Sequence, residues 1–132
     1  MVGIVVVSHS NKLAEEIINF AKVLQQEDFE IKNGGDVKNE IYGTNVDNVK
    51  DAIIEADQGE GVLVFVDMGS SVFNAVKAIK ELEGKVEAKI ADAPFLEGVI
   101  SAVAGNFDGI DLDDLKIIAE DSRKFTKLKK EI

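Results

Sequence analysis

The chain is 132 residues long and 45% hydrophobic, with 15 Lys and Arg against 25 Asp and Glu for a net charge of −10. That length and apolar content suit a single domain over residues 1–132 with one core, and the negative excess argues against nucleic acid and anionic membrane surfaces as partners. Cysteine is absent and histidine occurs once, which excludes disulfides, thiolate catalysis and cysteine-ligated metal and leaves oxygen atoms or one imidazole for any chemistry.

Val2-Gly3-Ile4-Val5-Val6-Val7 is apolar without alternation, as in a parallel strand covered on both faces, and it stops abruptly at Ser8-His9-Ser10. It is far shorter than a membrane span and lacks the flanks of a secretory signal, so a soluble, cytoplasmic chain is expected. From Asn11 to Gln26, Leu13, Ile17, Phe20, Ala21 and Leu24 recur at spacings of three and four, predicting an amphipathic helix capped by Ser10 or Asn11. Phe29 and Ile31 alternate with charged residues over Asp28 to Lys32, predicting a strand nearer the sheet edge that ends at Asn33-Gly34-Gly35. A polar loop then runs to Gly43-Thr44-Asn45.

Val49, Ala52, Ile53 and Ala56 mark one face of a second helix over Asn45 to Ala56, closed by Asp57-Gln58-Gly59. Gly61-Val62-Leu63-Val64-Phe65-Val66 is another wholly apolar strand, ending in Asp67-Met68-Gly69-Ser70-Ser71, and a helix over Val72 to Leu82 follows. A weaker strand over Val86 to Ile90 stops at Asp92-Ala93-Pro94, and helices follow over Phe95 to Ala104 and Asp111 to Lys124. Positive charge gathers at Arg123, Lys124, Lys127, Lys129 and Lys130, which reads as a solvated face or frayed tail more readily than a contact patch. Nothing repeats at a fixed period. The alternation predicts a three-layer α/β sandwich around a mostly parallel four-stranded sheet, order 2-1-3-4.

In such a sheet the functional loops lie beyond the carboxyl ends of the strands. His9 and Asp67 follow the two most apolar strands, which this order makes neighbours, so the two side chains are expected to meet. If Asp67 accepts the Nδ1 proton, Nε2 is left unprotonated and outward, the state a nitrogen needs to attack phosphorus. Ser8, Ser10 and Asn11 on one turn, and Gly69, Ser70 and Ser71 on the other, could hold phosphoryl oxygens through backbone N–H groups and hydroxyls. The serines serve equally well as helix caps, and the two roles are compatible. Taken alone, His9 could be an ordinary surface histidine and Asp67 a turn residue; it is their expected pairing that singles them out.

Read together, Ile4-Val5-Val6-Val7-Ser8-His9-Ser10, Gly34-Gly35, Gly43-Thr44, Val66-Asp67-Met68-Gly69-Ser70 with Asn74, and Ala91-Asp92-Ala93-Pro94-Phe95-Leu96-Glu97-Gly98 form a series. It resembles the IIA domains of the mannose-type phosphotransferase system, and among them the phosphotransferase subunits of phosphoenolpyruvate-dependent dihydroxyacetone kinase. The resemblance extends to about Gly109. It implies that His9 is the phosphorylated histidine, charged by the carrier HPr with phosphate that comes through enzyme I from phosphoenolpyruvate. It further implies that phospho-His9 rephosphorylates ADP on the kinase's nucleotide-binding subunit, that the domain is a homodimer, and that the chain itself holds no nucleotide, cofactor or metal. Some members carry HPr-like and enzyme I-like domains behind this one; here HPr is expected to act in trans. Met68 stands where the family carries leucine, a swap of similar volume, and the tail after Gly109 matches no family motif.

Four other readings compete. A sugar-transport IIA domain would pass phosphate to a IIB domain, but its histidine sits in a Thr-His-Gly context. A receiver domain would be phosphorylated on Asp67, yet it needs acidic residues after the first strand to hold magnesium, and Ser8-His9-Ser10 supplies none. A flavin mononucleotide binder would need a Thr/Gly-rich phosphate loop there. A non-catalytic regulatory binding module stays open.

Overall fold

The two most apolar runs lie side by side. Gly3–Val7 forms β1 and Val62–Val66 forms β3, paired in parallel from Gly3 with Val62 to Val7 with Val66. Ile31–Asn33 (β2) pairs with Ile4, Val5 and Val6 on one side of β1. Ala88–Ile90 (β4) pairs with Val62, Leu63 and Val64 on the far side of β3. The sheet is wholly parallel in the expected order, β2-β1-β3-β4. The computed structural model describes residues 1–35 and 42–130, so most of the expected polar loop, 36–41, lies outside the described residues.

Asn11–Lys22 (α1), Phe95–Gly105 (α4) and Leu112–Asp121 (α5) cover one face of the sheet, and Val46–Ala56 (α2) and Ser70–Glu81 (α3) cover the other. Val2, Ile4, Val6, Leu63 and Phe65 point into the first core, while Val5, Val7, Val62 and Val64 point into the second. Successive strand residues thus alternate between two dry layers, which is why their sequence shows no polar alternation. Each such side chain contributes roughly 1.5–3 kcal/mol by leaving water. Gly3 permits a close backbone approach, because a Cβ there would stand 2.1 Å from the Ala56 carbonyl oxygen at the end of α2. No helix among the described residues is long and apolar enough to cross a membrane.

Several boundaries differ from those expected. The first helix ends at Lys22 rather than Gln26, because Leu24 and Gln25 fall into tighter turns on Ala21 and Lys22 and the Gln25 side chain donates to the Glu27 and Phe29 carbonyls. Only Ile31–Asn33 joins the ladder, three residues later than the expected Asp28; Phe29 is buried without pairing, so its apolar signal reports the core rather than the sheet. Ala88 rather than Val86 opens β4, and the last helix breaks at Asp121 into a 3-10 turn over Ser122–Lys124. From that turn onward three of the basic residues face acidic ones: Arg123 meets Asp92, Lys124 meets Asp121 and Lys127 meets Glu97. Such exposed pairs are screened by solvent and contribute little to stability.

Candidate functional site

The pairing of Val7 with Val66 brings the next residues of both strands to one rim, and the Asp67 N–H continues the ladder onto the Val7 carbonyl. There the Asp67 carboxylate collects donors. Its Oδ2 accepts from the Ser8 hydroxyl and the His9 N–H, both at 2.9 Å, and its Oδ1 accepts from the Met68 N–H at 2.7 Å. His9 Nδ1 lies 3.1 Å from Oδ1 and 3.3 Å from Oδ2.

Burial alone would raise the Asp67 pKa, but hydrogen bonds from the His9 N–H, the Ser71 hydroxyl, the Met68 N–H and the Ser8 hydroxyl outweigh it and lower the value from 3.8 to about 2. The folded state therefore binds its proton less readily than the unfolded chain does. The resulting stabilisation is fully present above about pH 4 and disappears as pH falls toward about 2. With the side chain only 14% exposed, the depression corresponds to about 2 kcal/mol. Urea midpoints of the wild type are expected to fall across that window by more than those of Asp67→Asn, a difference that parallel titrations of the two proteins measure.

An ionised carboxylate can only accept, so the proton it faces belongs to Nδ1 and Nε2 carries the free lone pair. The His9 side chain is 33% exposed, so the ring lies at the protein surface. Gly69 then turns the chain beneath the ring with φ 56° and ψ −123°, the first central conformation of a type II′ turn. A Cβ there would meet nothing closer than His9 Cε1 at 3.9 Å, so conformation rather than space calls for glycine.

That turn starts α3 at Ser70, two residues before the expected Val72, and the two serines take opposite sides of the imidazole. Ser70 Oγ lies 2.8 Å from Nε2 and Ser71 Oγ lies 3.1 Å from Nδ1. Ser71 is fully buried and Ser70 is exposed. The Ser71 amide is already donated to the Met68 carbonyl, so this N–H group of the expected backbone cradle is engaged in the turn, as is the Val72 amide beyond it on the Gly69 carbonyl.

The remaining expected site residues stand further from the nitrogen. Ser8 is fully buried, facing Asp67 and accepting from the Ser10 N–H at 3.0 Å. Ser10 caps α1 through the Leu13 N–H at 3.2 Å. The Asn11 amide is buried and has no hydrogen-bond partner among the described residues, packed where a Cβ on Gly35 would meet its Oδ1 at 1.9 Å. Among the described residues, no group of three or more His, Asp or Glu side chains could hold a metal ion.

Asn74 has a part that the sequence did not disclose. Its Nδ2 donates to the Thr44 carbonyl at 3.1 Å and to the Thr44 hydroxyl at 2.6 Å, tying α3 to the segment whose Gly43 N–H donates to the His9 carbonyl at 2.7 Å. Its place on α3 gives no hint of a partner 30 residues away. Asn74→Ala is expected to destabilise the fold by about 1 kcal/mol, two partly exposed hydrogen bonds being lost, and thermal melts against wild type measure it.

Residues 3–114 match the model of a family described as EIIA-man, the fructose IIA component of the phosphotransferase system. The chain is 33% identical over 118 residues to the phosphoryl donor subunit DhaM of the PEP-dependent dihydroxyacetone kinase of Escherichia coli, 86% of this chain but 25% of that protein. It is 31% identical over 104 residues to the corresponding subunit of dihydroxyacetone kinase 2 of Listeria innocua, covering 77% of this chain and 83% of that one. It thus spans about a quarter of the first relative's length and most of the second's. A crystal structure of a protein of unknown function superposes with TM-score 0.74 at 25% identity, over 92% of this chain and 95% of that one. The phosphotransferase system component EIIA of Streptococcus agalactiae superposes with TM-score 0.68 at 20% identity, over 94% and 93%, a likeness of fold.

Proposed function

This chain belongs to the EIIA-man family of phosphotransferase system components, in company with DhaM subunits, and from that premise we propose that it is a cytoplasmic phosphocarrier whose His9 Nε2 accepts a phosphoryl group. The observation that carries the reading is the ring itself, with Nδ1 on an ionised carboxylate and Nε2 beside the exposed Ser70 hydroxyl. As the Nε2 lone pair forms the bond to phosphorus, the bond from phosphorus to the donor breaks and its electron pair leaves with the donor. The ring, still protonated on Nδ1, becomes cationic, and the Asp67 carboxylate offsets that charge without taking the proton. Exposed Met68 and Phe73 stand on the turn and helix that carry the serines, apolar surface suited to a transient protein partner.

In the finer reading the donor is phospho-HPr, and the acceptor is ADP on the nucleotide-binding subunit of a dihydroxyacetone kinase. Residues 1–132 act as one IIA unit within a homodimer. The DhaM relatives support this acceptor, and the Ser8-His9-Ser10 context agrees with it. A second reading, transfer to a IIB domain, draws on the family's description as a fructose component.

Incubation with enzyme I, HPr and labelled phosphoenolpyruvate tests the first step, with acid-labile, alkali-stable label expected on the protein. No label on intact protein would overturn the proposal. Chasing the labelled protein with ADP-loaded kinase subunit or with a IIB domain then separates the acceptors. The label is expected to move to ATP.

A further inference from the structure

Two consecutive serines bracket one imidazole, and they are not equivalent. Ser71 is fully buried with its oxygen 3.1 Å from Nδ1, so it belongs to the support of the ring. Ser70 is exposed, and its hydroxyl lies 2.8 Å from the other nitrogen. Because Nδ1 holds the ring proton, Nε2 can only accept, and the Ser70 hydroxyl is the donor. In the resting protein the lone pair that must attack phosphorus is therefore already occupied.

We propose that Ser70 is a reversible cap on the His9 nucleophile, closed over Nε2 at rest and turned onto a phosphoryl oxygen when the group arrives. Three features of the local structure permit the turn. Ser70 is the first residue of α3, where Gly69 occupies the cap position and no side chain satisfies the first amides. Its hydroxyl has no duty in the helix, and solvent lies around it. The Gly69 conformation fixes the backbone, so only the Ser70 side-chain torsion needs to change. Ser70 keeps its proton throughout: the O–H···N hydrogen bond breaks and an O–H···O–P hydrogen bond replaces it, while the phosphorus bond passes from the donor to Nε2.

The second half of this inference rests on the phosphocarrier reading, whereas the first half does not. The chain has one histidine, so diethyl pyrocarbonate reports on His9 alone among imidazoles. Ser70→Ala is expected to carbethoxylate about five-fold faster than wild type, as removal of one modest hydrogen bond from the attacking nitrogen requires. The same variant is expected to take up phosphoryl label from phospho-HPr about ten-fold more slowly, having lost a donor to a charged oxygen. A general loosening of the site would not drive the two rates in opposite directions. Carbethoxylation at or below the wild-type rate overturns the cap, and phosphoryl uptake at or above the wild-type rate overturns the handover. If wild type itself takes up no label, the handover falls with the phosphocarrier reading and the carbethoxylation rates still decide the cap.

Discussion

His9→Ala is expected to take up no phosphoryl label under conditions that saturate the wild type. The chain has no second histidine and no cysteine to stand in. Asp67, the carboxylate beside the ring, is held ionised by four donors at the rim of the sheet, and with its lone pairs so engaged it is a poor attacker of phosphorus. The fold should survive the change, since the ring is 33% exposed and its loss leaves no closed cavity. Circular dichroism and melting of the variant are the control. The stability of the label adds a second decision, because an acyl phosphate on Asp67, as in the receiver-domain alternative, would be lost in alkali. Equal labelling of His9→Ala and wild type would remove the imidazole from the mechanism.

The central strands were legible because nothing competes with their signal. Val2 to Val7 and Val62 to Val66 have no polar face to hide, and only a sheet covered on both sides can use such runs. Once those strands are neighbours, the residues after them must converge, which is why His9 and Asp67 could be paired from sequence although they are 58 residues apart. The edges were harder. Ile31–Asn33 and Ala88–Ile90 are three-residue ladders whose limits depend on how far the neighbouring strand extends, not on their own composition.

Within the site, residue types were legible and their division of labour was not. Ser8, Ser10, Ser70 and Ser71 look alike in sequence, yet one supports the carboxylate, one caps α1, one faces Nε2 and one faces Nδ1. What separates the last two is a single backbone turn at Gly69, whose φ and ψ set the direction of the next two side chains. Composition records that glycine is present without recording which way it turns. The Asn74–Thr44 tie is a long-range hydrogen bond, and no periodicity carries it.

Asp67→Asn separates holding the ring from charging it. The amide can still sit beside Nδ1, but it has one acceptor oxygen and no charge, and its NH2 group can donate to Nδ1 as readily as its oxygen accepts. The first arrangement moves the ring proton to Nε2, the atom that needs a lone pair. Even in the productive arrangement, the cationic ring formed with the bond to phosphorus loses its counter-charge. The rate of label uptake is therefore expected to fall about 10²- to 10³-fold, within the range that a positioned proton-handling group contributes. Single-turnover uptake from phospho-HPr measures this. His9 remains, so labelling should go to completion slowly, in contrast to the blank expected of His9→Ala. The same substitution removes the carboxylate whose pKa lies at about 2. The variant should therefore be less stable at neutral pH and lose less of its stability between about pH 4 and pH 2. A variant that kept wild-type uptake while showing that flattened acid profile would make Asp67 a residue of the turn and not of the transfer.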